Sequence, residues 1–267
     1  MKFCLILILF ITNSCLGQGW QAEIMLGGAD YTGDLTQKAV SFKGMGPAVN
    51  LNLKYDLGNS FIVRAGVGWG KISADDKDNT RASLQRRNLN FKSSILEGSL
   101  CVEFDVFEPE LFDAYPYIFA GVGAFHFNPY TYDKDNVKTY LQPLGTEGQG
   151  LSEYPEKKKY SLTQFCLPFG AGWKMRLNDQ WGIIYEFGYR FQFSDYLDDV
   201  STTYADYKIL FEKNGSKAAE LSYRPMLGPG ASPAYPREGA VRGNPKEKDG
   251  YFFTGIKLLI HLGKQEY

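Results

Sequence analysis

Residues 181–193 read Trp-Gly-Ile-Ile-Tyr-Glu-Phe-Gly-Tyr-Arg-Phe-Gln-Phe, and every second side chain in this stretch is large and apolar. The side chains between them are small, polar or charged, apart from Ile184. Because successive side chains of a β-strand point to opposite faces, the stretch predicts a strand with one apolar and one polar face. An alternation of this length fits a strand with lipid on one side and a polar lumen on the other. The pattern therefore predicts a transmembrane β-barrel.

The composition agrees with that prediction. The chain has 267 residues and a formal net charge of -1, which indicates no nucleic-acid partner. Its 18 Tyr and 19 Phe fit the aromatic girdles that flank the apolar band of a barrel at both membrane interfaces. After residue 17, no apolar stretch approaches the roughly 20 residues that a membrane-spanning helix needs. A helical membrane protein is therefore not expected.

The start of the chain has the features of a signal peptide. Lys2 supplies a positive charge, residues 3–11 are apolar, and small residues up to Gly17 offer a cleavage site. We predict a signal peptide over residues 1–17 and the barrel over residues 18–267. A lipoprotein signal with Cys15 as the acylated residue is the alternative, although Thr12 stands where an apolar residue is usual. Both interpretations predict export from the cytoplasm.

Eight segments show the two-residue period of a half-buried strand. Short links follow the second, fourth and sixth of them (56–60, 108–115, 178–180), and long links follow the others. This order is typical of short periplasmic turns and long extracellular loops. We therefore predict an all-β, eight-stranded antiparallel transmembrane barrel in the outer membrane, which leaves no open sheet edge. The predicted strands are 20–31, 46–55, 61–72, a segment ending over 96–106, 116–127, 164–176, 181–193 and 251–262.

The polar faces of these strands predict a filled lumen. Eight strands leave an interior that side chains fill, and an unpaired buried charge is costly, so opposite charges are expected to pair there. The predicted scaffold is therefore plugged. The fifth strand is apolar on both faces, which leaves its orientation open. The charged side chains assigned to the lumen are Arg64, Glu97, Glu103, Asp105, Lys174, Arg176, Glu186, Arg190 and Lys257.

Two cysteines, Cys101 and Cys166, remain in the mature chain and are both predicted to point inward. Their positions relative to the nearest turns predict heights that differ by roughly 12 Å in tilted strands. A disulfide needs Cα atoms within about 7 Å, so no bridge is expected.

The sequence offers weak candidates for catalysis or ligand binding. His126 with Asp195, Asp198 and Asp199 would allow water activation at the rim of an outer-membrane hydrolase, and the three acids alone would suit calcium. An interfacial histidine and a solvated acidic loop explain these residues more simply. The glycine-rich stretch 145–150 lacks a following helix, which a phosphate cradle needs. We predict no catalytic residue, metal site or cofactor.

Several strings of residues, spread over most of the mature chain, resemble the PorG-type outer-membrane barrels of Bacteroidota type IX secretion systems. The resemblance implies a structural, non-enzymatic barrel that binds the periplasmic ring formed by a lipoprotein and its partner subunit, and couples it to the outer membrane. A surface barrel that uses its long loops for adhesion or ligand binding is the alternative. The strings are 31–35 (Tyr-Thr-Gly-Asp-Leu), 127–129, 141–150 (Leu-Gln-Pro-Leu-Gly-Thr-Glu-Gly-Gln-Gly), 159–162, 168–172, 189–190 and 194–204.

The link between the fourth and fifth predicted strands is the best candidate for the partner-binding site. It is the longest of the three short links, and a hairpin does not require that length. Its Leu111 and Phe112 lie between the acids Glu108, Glu110 and Asp113, which gives a small apolar anchor with a charged rim. The alternative is that Leu111 and Phe112 pack on the barrel floor or at the lipid interface.

Overall fold

The computed structural model describes residues 19–36, 42–108, 111–225 and 234–263. The predicted signal peptide, with Cys15, lies outside the described residues. All eight predicted barrel strands are present, and the long loops add a two-stranded hairpin. The strands are β1 (Trp20–Thr32), β2 (Gly46–Gly58), β3 (Phe61–Asp75), β4 (Asn90–Asp105), β5 (Ala114–His126), β6 (Tyr130–Tyr132), β7 (Lys138–Tyr140), β8 (Thr163–Arg176), β9 (Trp181–Gln192) and β10 (Gly250–His261).

The eight long strands form a closed antiparallel barrel. The first and last of them pair over their whole length, from Gln21 opposite His261 to Thr32 opposite Gly250. Pairing of β3 with β4 completes the circle, so every barrel strand has two neighbours. Closure satisfies the backbone amides and carbonyls and removes the sheet edges.

The links alternate in length as predicted. Residues 59–60, 106–113 and 177–180 form the links at one end of the barrel, which we call the short-turn end. Asn59 and Ser60 both have positive φ angles, 52° and 67°, which suit the twist of a two-residue hairpin. The described residues of the loops that follow β1, β3, β5 and β9 lie at the other end, which we call the long-loop end.

The barrel exposes large apolar side chains around its whole circumference. Such a continuous apolar surface is buried by lipid in a membrane-spanning barrel. The eight strands therefore form a transmembrane barrel, and the predicted fold class is confirmed. Each barrel strand has at least one large apolar side chain that is more than half exposed. In strand order, examples are Leu26, Leu51, Val67, Leu100, Ile118, Phe165, Tyr185 and Ile256. Within the described residues, no helix has the length and apolar character needed to cross a bilayer.

The structure settles the orientation of β5, which the sequence left open. Tyr117 and Phe119 are buried in the lumen, whereas Ile118 faces outward. Glycines on the neighbouring strand make room for the rings. A Cβ added to Gly172 would lie 2.4 Å from the Tyr117 ring, and one added to Gly170 would lie 2.9 Å from the Phe119 ring.

The long loops contain structure that the sequence did not predict. The helices are α1 (Ala82–Arg87), α2 (Tyr207–Asn214) and α3 (Ser216–Ser222). Asp206 caps α2, because its carboxylate accepts from the backbone amides of Lys208 and Ile209. Strand β3 continues to Asp75, three residues beyond its predicted end, because it keeps pairing with β4 up to Asn90.

An arginine on the outward face should disturb assembly. Phe187 lies outward near the middle of β9, where its ring packs 5.0 Å from that of Phe252. Phe187→Arg should lower the free energy of unfolding by about 2–4 kcal/mol, because it places a cation near the bilayer midplane. Equilibrium unfolding in lipid vesicles and the mobility shift between unboiled and boiled samples measure this effect. Phe187→Leu is the apolar control. Equal stability of the two variants would contradict the assignment of Phe187 to the lipid-facing side of β9.

Candidate functional site

Six charged side chains in the middle of the lumen form a closed ring of alternating charge. Each comes from a different strand, and all six are buried. Because the ring contains three acids and three bases, its formal charge is zero. We call it the charge ring, and it consists of Glu23, Lys54, Glu103, Arg64, Glu186 and Lys257.

Each cation of the charge ring bridges two carboxylates. The Lys54 ammonium lies 2.7 Å from carboxylate oxygens of both Glu23 and Glu103. The Arg64 guanidinium lies 2.8 Å from Glu103 and 2.6 Å from Glu186. This bridging offsets the desolvation of each buried charge, which would be costly for an isolated ion.

Lys257 closes the charge ring. Its ammonium lies 2.5 Å from Glu186 and 3.1 Å from Glu23. The Tyr117 hydroxyl also donates to Glu186, at 2.5 Å. Toward the short-turn end, Lys174 contacts Asp105 at 2.6 Å and extends the network. The middle of the lumen is thus filled by paired side chains, as predicted.

A second ion pair lies nearer the long-loop end. Arg190 donates to Glu97 at 2.9 and 3.2 Å, and the Tyr251 hydroxyl donates to the same carboxylate at 2.8 Å. The Arg190 guanidinium also lies 4.5 Å from the centre of the Phe253 ring. All four side chains are buried, so this level of the lumen is filled as well.

The predicted set of lumen charges needs one correction and two additions. Eight of the nine predicted side chains are buried inside, but Arg176 lies partly exposed at the short-turn end, where it donates to Asp113 at 2.7 Å. It is the last residue of β8, so its side chain reaches the link instead of the lumen. Glu23 and Lys54 were missing from the set. Each lies between apolar residues of its strand. This alternation was the signal that would have placed both side chains on the lumen side.

The two cysteines are buried free thiols. Cys101 pairs with Gly121 and Cys166 with Gly123, on opposite sides of β5. Two inter-strand spacings, about 9 Å, therefore separate their strands, which exceeds the reach of a disulfide.

Three of the seven strings that resemble the PorG-type barrels, residues 141–150, 159–162 and 194–204, meet in one structure above the lumen. We call it the loop cap, and define it as residues 141–162, 194–204 and 240–249. At its centre, the fully buried Glu147 accepts from Arg242 at 3.0 Å and from the backbone amide of Ser201 at 2.9 Å. The Thr202 hydroxyl donates to the same carboxylate at 2.6 Å. One acid therefore connects three distant segments of the chain.

Asp199 is the second centre of the loop cap. It accepts from the hydroxyls of Thr146 at 2.5 Å and Tyr160 at 2.8 Å. Burial raises the pKa of Asp199 to about 6, although these hydrogen bonds and the nearby Arg242 oppose the rise. The Tyr160 ring stacks on the Tyr196 ring, with centroids 5.0 Å apart.

The glycine-rich stretch 145–150 is a structural part of the loop cap. Gly145, Gly148 and Gly150 have φ angles of 56°, 85° and 82°, which favour glycine. A Cβ on Gly148 would also lie 2.5 Å from the Tyr154 ring. These glycines let the chain turn tightly around Glu147.

Two carboxyl groups of the long-loop end share one tyrosine. The Tyr31 hydroxyl lies 2.5 Å from Asp198 and 3.0 Å from Asp249. A hydroxyl has only one proton to donate, so a proton on one of the two carboxyls would complete the second hydrogen bond. Burial raises the pKa of both acids well above their usual range, which agrees with a protonated pair.

The structure does not assemble the arrangement considered for a hydrolase. His126 is exposed on the outward face, 3.0 Å from Thr163, whereas Asp195, Asp198 and Asp199 are buried beneath the loops. Their predicted solvation is wrong, because hydrogen bonds hold these acids inside the loop structure. In the described ranges, no group of three or more His, Cys, Asp or Glu side chains is placed to hold a metal ion.

The described residues of the predicted partner-binding link, 106–108 and 111–113, lie at the short-turn end. Leu111 is 68% exposed and Phe112 is 49% exposed, so packing on the barrel floor is wrong for these side chains, whereas the alternative of a position at the lipid interface stays a prediction. The Phe112 ring lies 5.5 Å from that of the exposed Phe107. We call Phe107, Leu111 and Phe112 the apolar knob. Glu108 and Asp113 are exposed beside it, and Glu110 lies outside the described residues.

The closed sheet, the exposed apolar belt and the filled lumen define a transmembrane β-barrel of eight strands. Residues 1–217 match the model of the family described as "Domain of unknown function (DUF6089)", and the chain belongs to this family. No curated protein matches the chain.

The solved structures with a similar fold include outer-membrane proteins of low sequence identity. Neisserial surface protein A is 8% identical, with a TM-score of 0.45, over 91% of this chain and 97% of that one. A major outer membrane protein from Thermus thermophilus is 12% identical, with a TM-score of 0.42, over 90% and 98%. Ail of Yersinia pestis, in complex with sucrose octasulfate, is 10% identical, with a TM-score of 0.39, over 92% and 100%.

Breaking the charge ring at one acid should destabilise the barrel. Glu186→Gln leaves Arg64 and Lys257 without a shared carboxylate and should lower the free energy of unfolding by about 3–5 kcal/mol. Adding Lys257→Met restores neutrality and should recover part of that loss. Equilibrium unfolding of reconstituted protein measures both. Glu153→Gln, which breaks an exposed pair with Lys213, is the matched control and should change little.

The loop cap should be more stable at pH 5 than at pH 8. Burial raises the pKa of Asp195 to about 7 and that of Asp199 to about 6, above the value of about 4 for an unfolded chain. The folded state therefore binds more protons, and its stability falls as the pH rises from about 4 to about 7. Amide hydrogen exchange, corrected for its intrinsic pH dependence, should show stronger protection of the cap at pH 5. Asp195→Asn should weaken the difference, and equal protection at both pH values would contradict this assignment.

Proposed function

We propose that this protein is an outer-membrane component of a type IX protein secretion apparatus that anchors the periplasmic ring to the membrane. The exposed apolar knob at the short-turn end is the observation that supports this role. The strings that resemble PorG-type barrels suggest the partners, which are a ring lipoprotein and its partner subunit. In this proposal the short-turn end is periplasmic and the long-loop end faces the outside.

The filled lumen supports a structural role. The charge ring occupies the middle of the barrel, the pair of Arg190 and Glu97 lies above it, and the loop cap covers both. A substrate would have to break several buried ion pairs to pass through this interior, which is energetically unfavourable. Binding through the surfaces at the two ends is the simpler use of such a scaffold.

The apolar knob has the chemistry of a small protein-docking site. An exposed apolar side chain such as Leu111 gains stabilisation when a partner removes it from water. Paired aromatic rings beside it provide a larger contact area, and the flanking acids Glu108 and Asp113 provide a polar rim. Arg176 holds Asp113 from β8, which fixes the C-terminal side of the link to the barrel wall.

Loss of the apolar knob should release the ring proteins. Leu111→Ser combined with Phe112→Ser should leave the mobility shift on heating unchanged, because both side chains are exposed, while ring proteins no longer co-purify. Leu57→Ser, at an equally exposed position near another short turn, is the matched control. Secretion of type IX cargo in a gene deletion complemented by each variant measures the consequence.

The same experiments distinguish the proposed secretion role from the alternative of a surface barrel for adhesion or ligand binding. A surface barrel of that kind would keep its surface binding in the knob variant, and its deletion would leave type IX cargo secretion intact. Ring proteins retained by the knob variant, with an intact barrel, would exclude the knob as their binding site.

A further inference from the structure

The outward face of β3 and β4 changes from apolar to basic near the long-loop end. Trp69 is paired with Leu96, the next outward pair is Lys71 with Ser94, and Lys92 follows one pair further. Lys92 is twelve residues from the outward Phe104 near the other end of β4, which is roughly 30 Å of height in a tilted strand. An apolar band is about 25 Å tall, so Lys92 lies just beyond its outer border.

The hairpin of β6 and β7 extends this basic region with tyrosines. It joins β4 where Tyr130 pairs with Lys92. The Lys138 ammonium lies 4.0 Å from the centre of the Tyr130 ring and 4.8 Å from that of Tyr140. The Lys92 ammonium lies 5.8 Å from the Tyr132 ring, and the Tyr130 and Tyr132 rings are 6.0 Å apart. The two lysines therefore belong to one continuous aromatic surface.

We call this surface the basic–aromatic face, and it comprises Trp69, Lys71, Lys92, Tyr130, Tyr132, Lys138 and Tyr140. Its three lysines are exposed and form no ion pair within the part of the chain that the structure describes. Nearby acids have other partners. Asp75, further along the outward side of β3, pairs with Lys77 at 2.7 Å. Lys217 contacts Asp133 and Asp135 of the hairpin turn.

We propose that the basic–aromatic face binds the anionic phosphate groups of lipid headgroups in the outer leaflet. Its lysines carry the complementary charge, and an ammonium binds phosphate as a point charge. Aromatic rings and lysine stems suit the border between hydrocarbon and headgroups. The face also continues directly into the lipid-facing band at Trp69 and Leu96, so one lipid contacts both regions. Free phosphate lacks acyl chains for the second contact, which favours a lipid as the ligand.

The proposal rests on the outer-membrane orientation of the proposed function, with the long-loop end outside, and is independent of which proteins bind the short-turn end. The test uses the full mature protein in detergent with equimolar lipid A and phosphatidylcholine, and native mass spectrometry counts the lipids retained. The wild-type protein should retain lipid A in preference to phosphatidylcholine. Lys92→Gln combined with Lys138→Gln should reduce lipid A retention at least fivefold and leave phosphatidylcholine retention unchanged.

A charge-matched control separates the site from net charge. Lys208→Gln combined with Lys246→Gln removes two exposed charges elsewhere in the long loops and should leave lipid A retention unchanged. Equal losses in the two double variants, or no loss in the first, would overturn the proposal. Displacement of lipid A by inorganic phosphate at the same phosphate concentration would show a free-phosphate site and would also overturn the lipid assignment. The mobility shift on heating verifies that each variant is folded.

Discussion

Backbone hydrogen bonding in a medium without water is the constraint on which this structure depends. A strand within hydrocarbon must find partners for all its amides and carbonyls inside the protein. The pairing of β1 with β10 meets this requirement, because it joins the two ends of the sheet over twelve residue pairs. Once the sheet is closed, each strand has one face toward lipid and one toward a narrow interior. The alternation of side chains along every strand follows from that division.

The narrow interior determines how the polar faces are used. Eight strands leave too little room for a water-filled channel, so lumen charges must be satisfied by one another. The charge ring meets this condition with three cations that each bridge two acids. Glycines on β8 make room for the inward aromatic side chains of Tyr117 and Phe119, which fill space beside the charge ring. The lumen thereby becomes a rigid core, and the surfaces at the two ends remain available for binding.

The two ends of the barrel differ in chemistry. The short-turn end carries a small exposed apolar knob held against the wall by the pair of Arg176 and Asp113. The long-loop end carries a folded cap, in which Glu147 and Asp199 connect distant segments, and a basic–aromatic face at the membrane border. In the proposed role, one end contacts periplasmic ring proteins, while the other is fixed among outer-leaflet headgroups.

The sequence alone predicted the eight barrel strands, the lipid-facing and lumen-facing sides of most of them, and the alternation of short and long links. These features follow from the two-residue period and from the turn residues. Both are visible among residues that are close together in the sequence. The sequence also identified Leu111 and Phe112 as an exposed candidate, whereas partner binding there remains a prediction.

Only the tertiary structure decided which lumen charges meet, how β5 is oriented, and that Arg176 leaves the lumen for Asp113. It also brought residues 141–162 and 194–204 together in the loop cap, and so buried acids that were expected in solvent. These contacts depend on strand register and on distances across the barrel. Residues more than a hundred positions apart, such as Glu23 and Lys257, become neighbours only when the sheet closes.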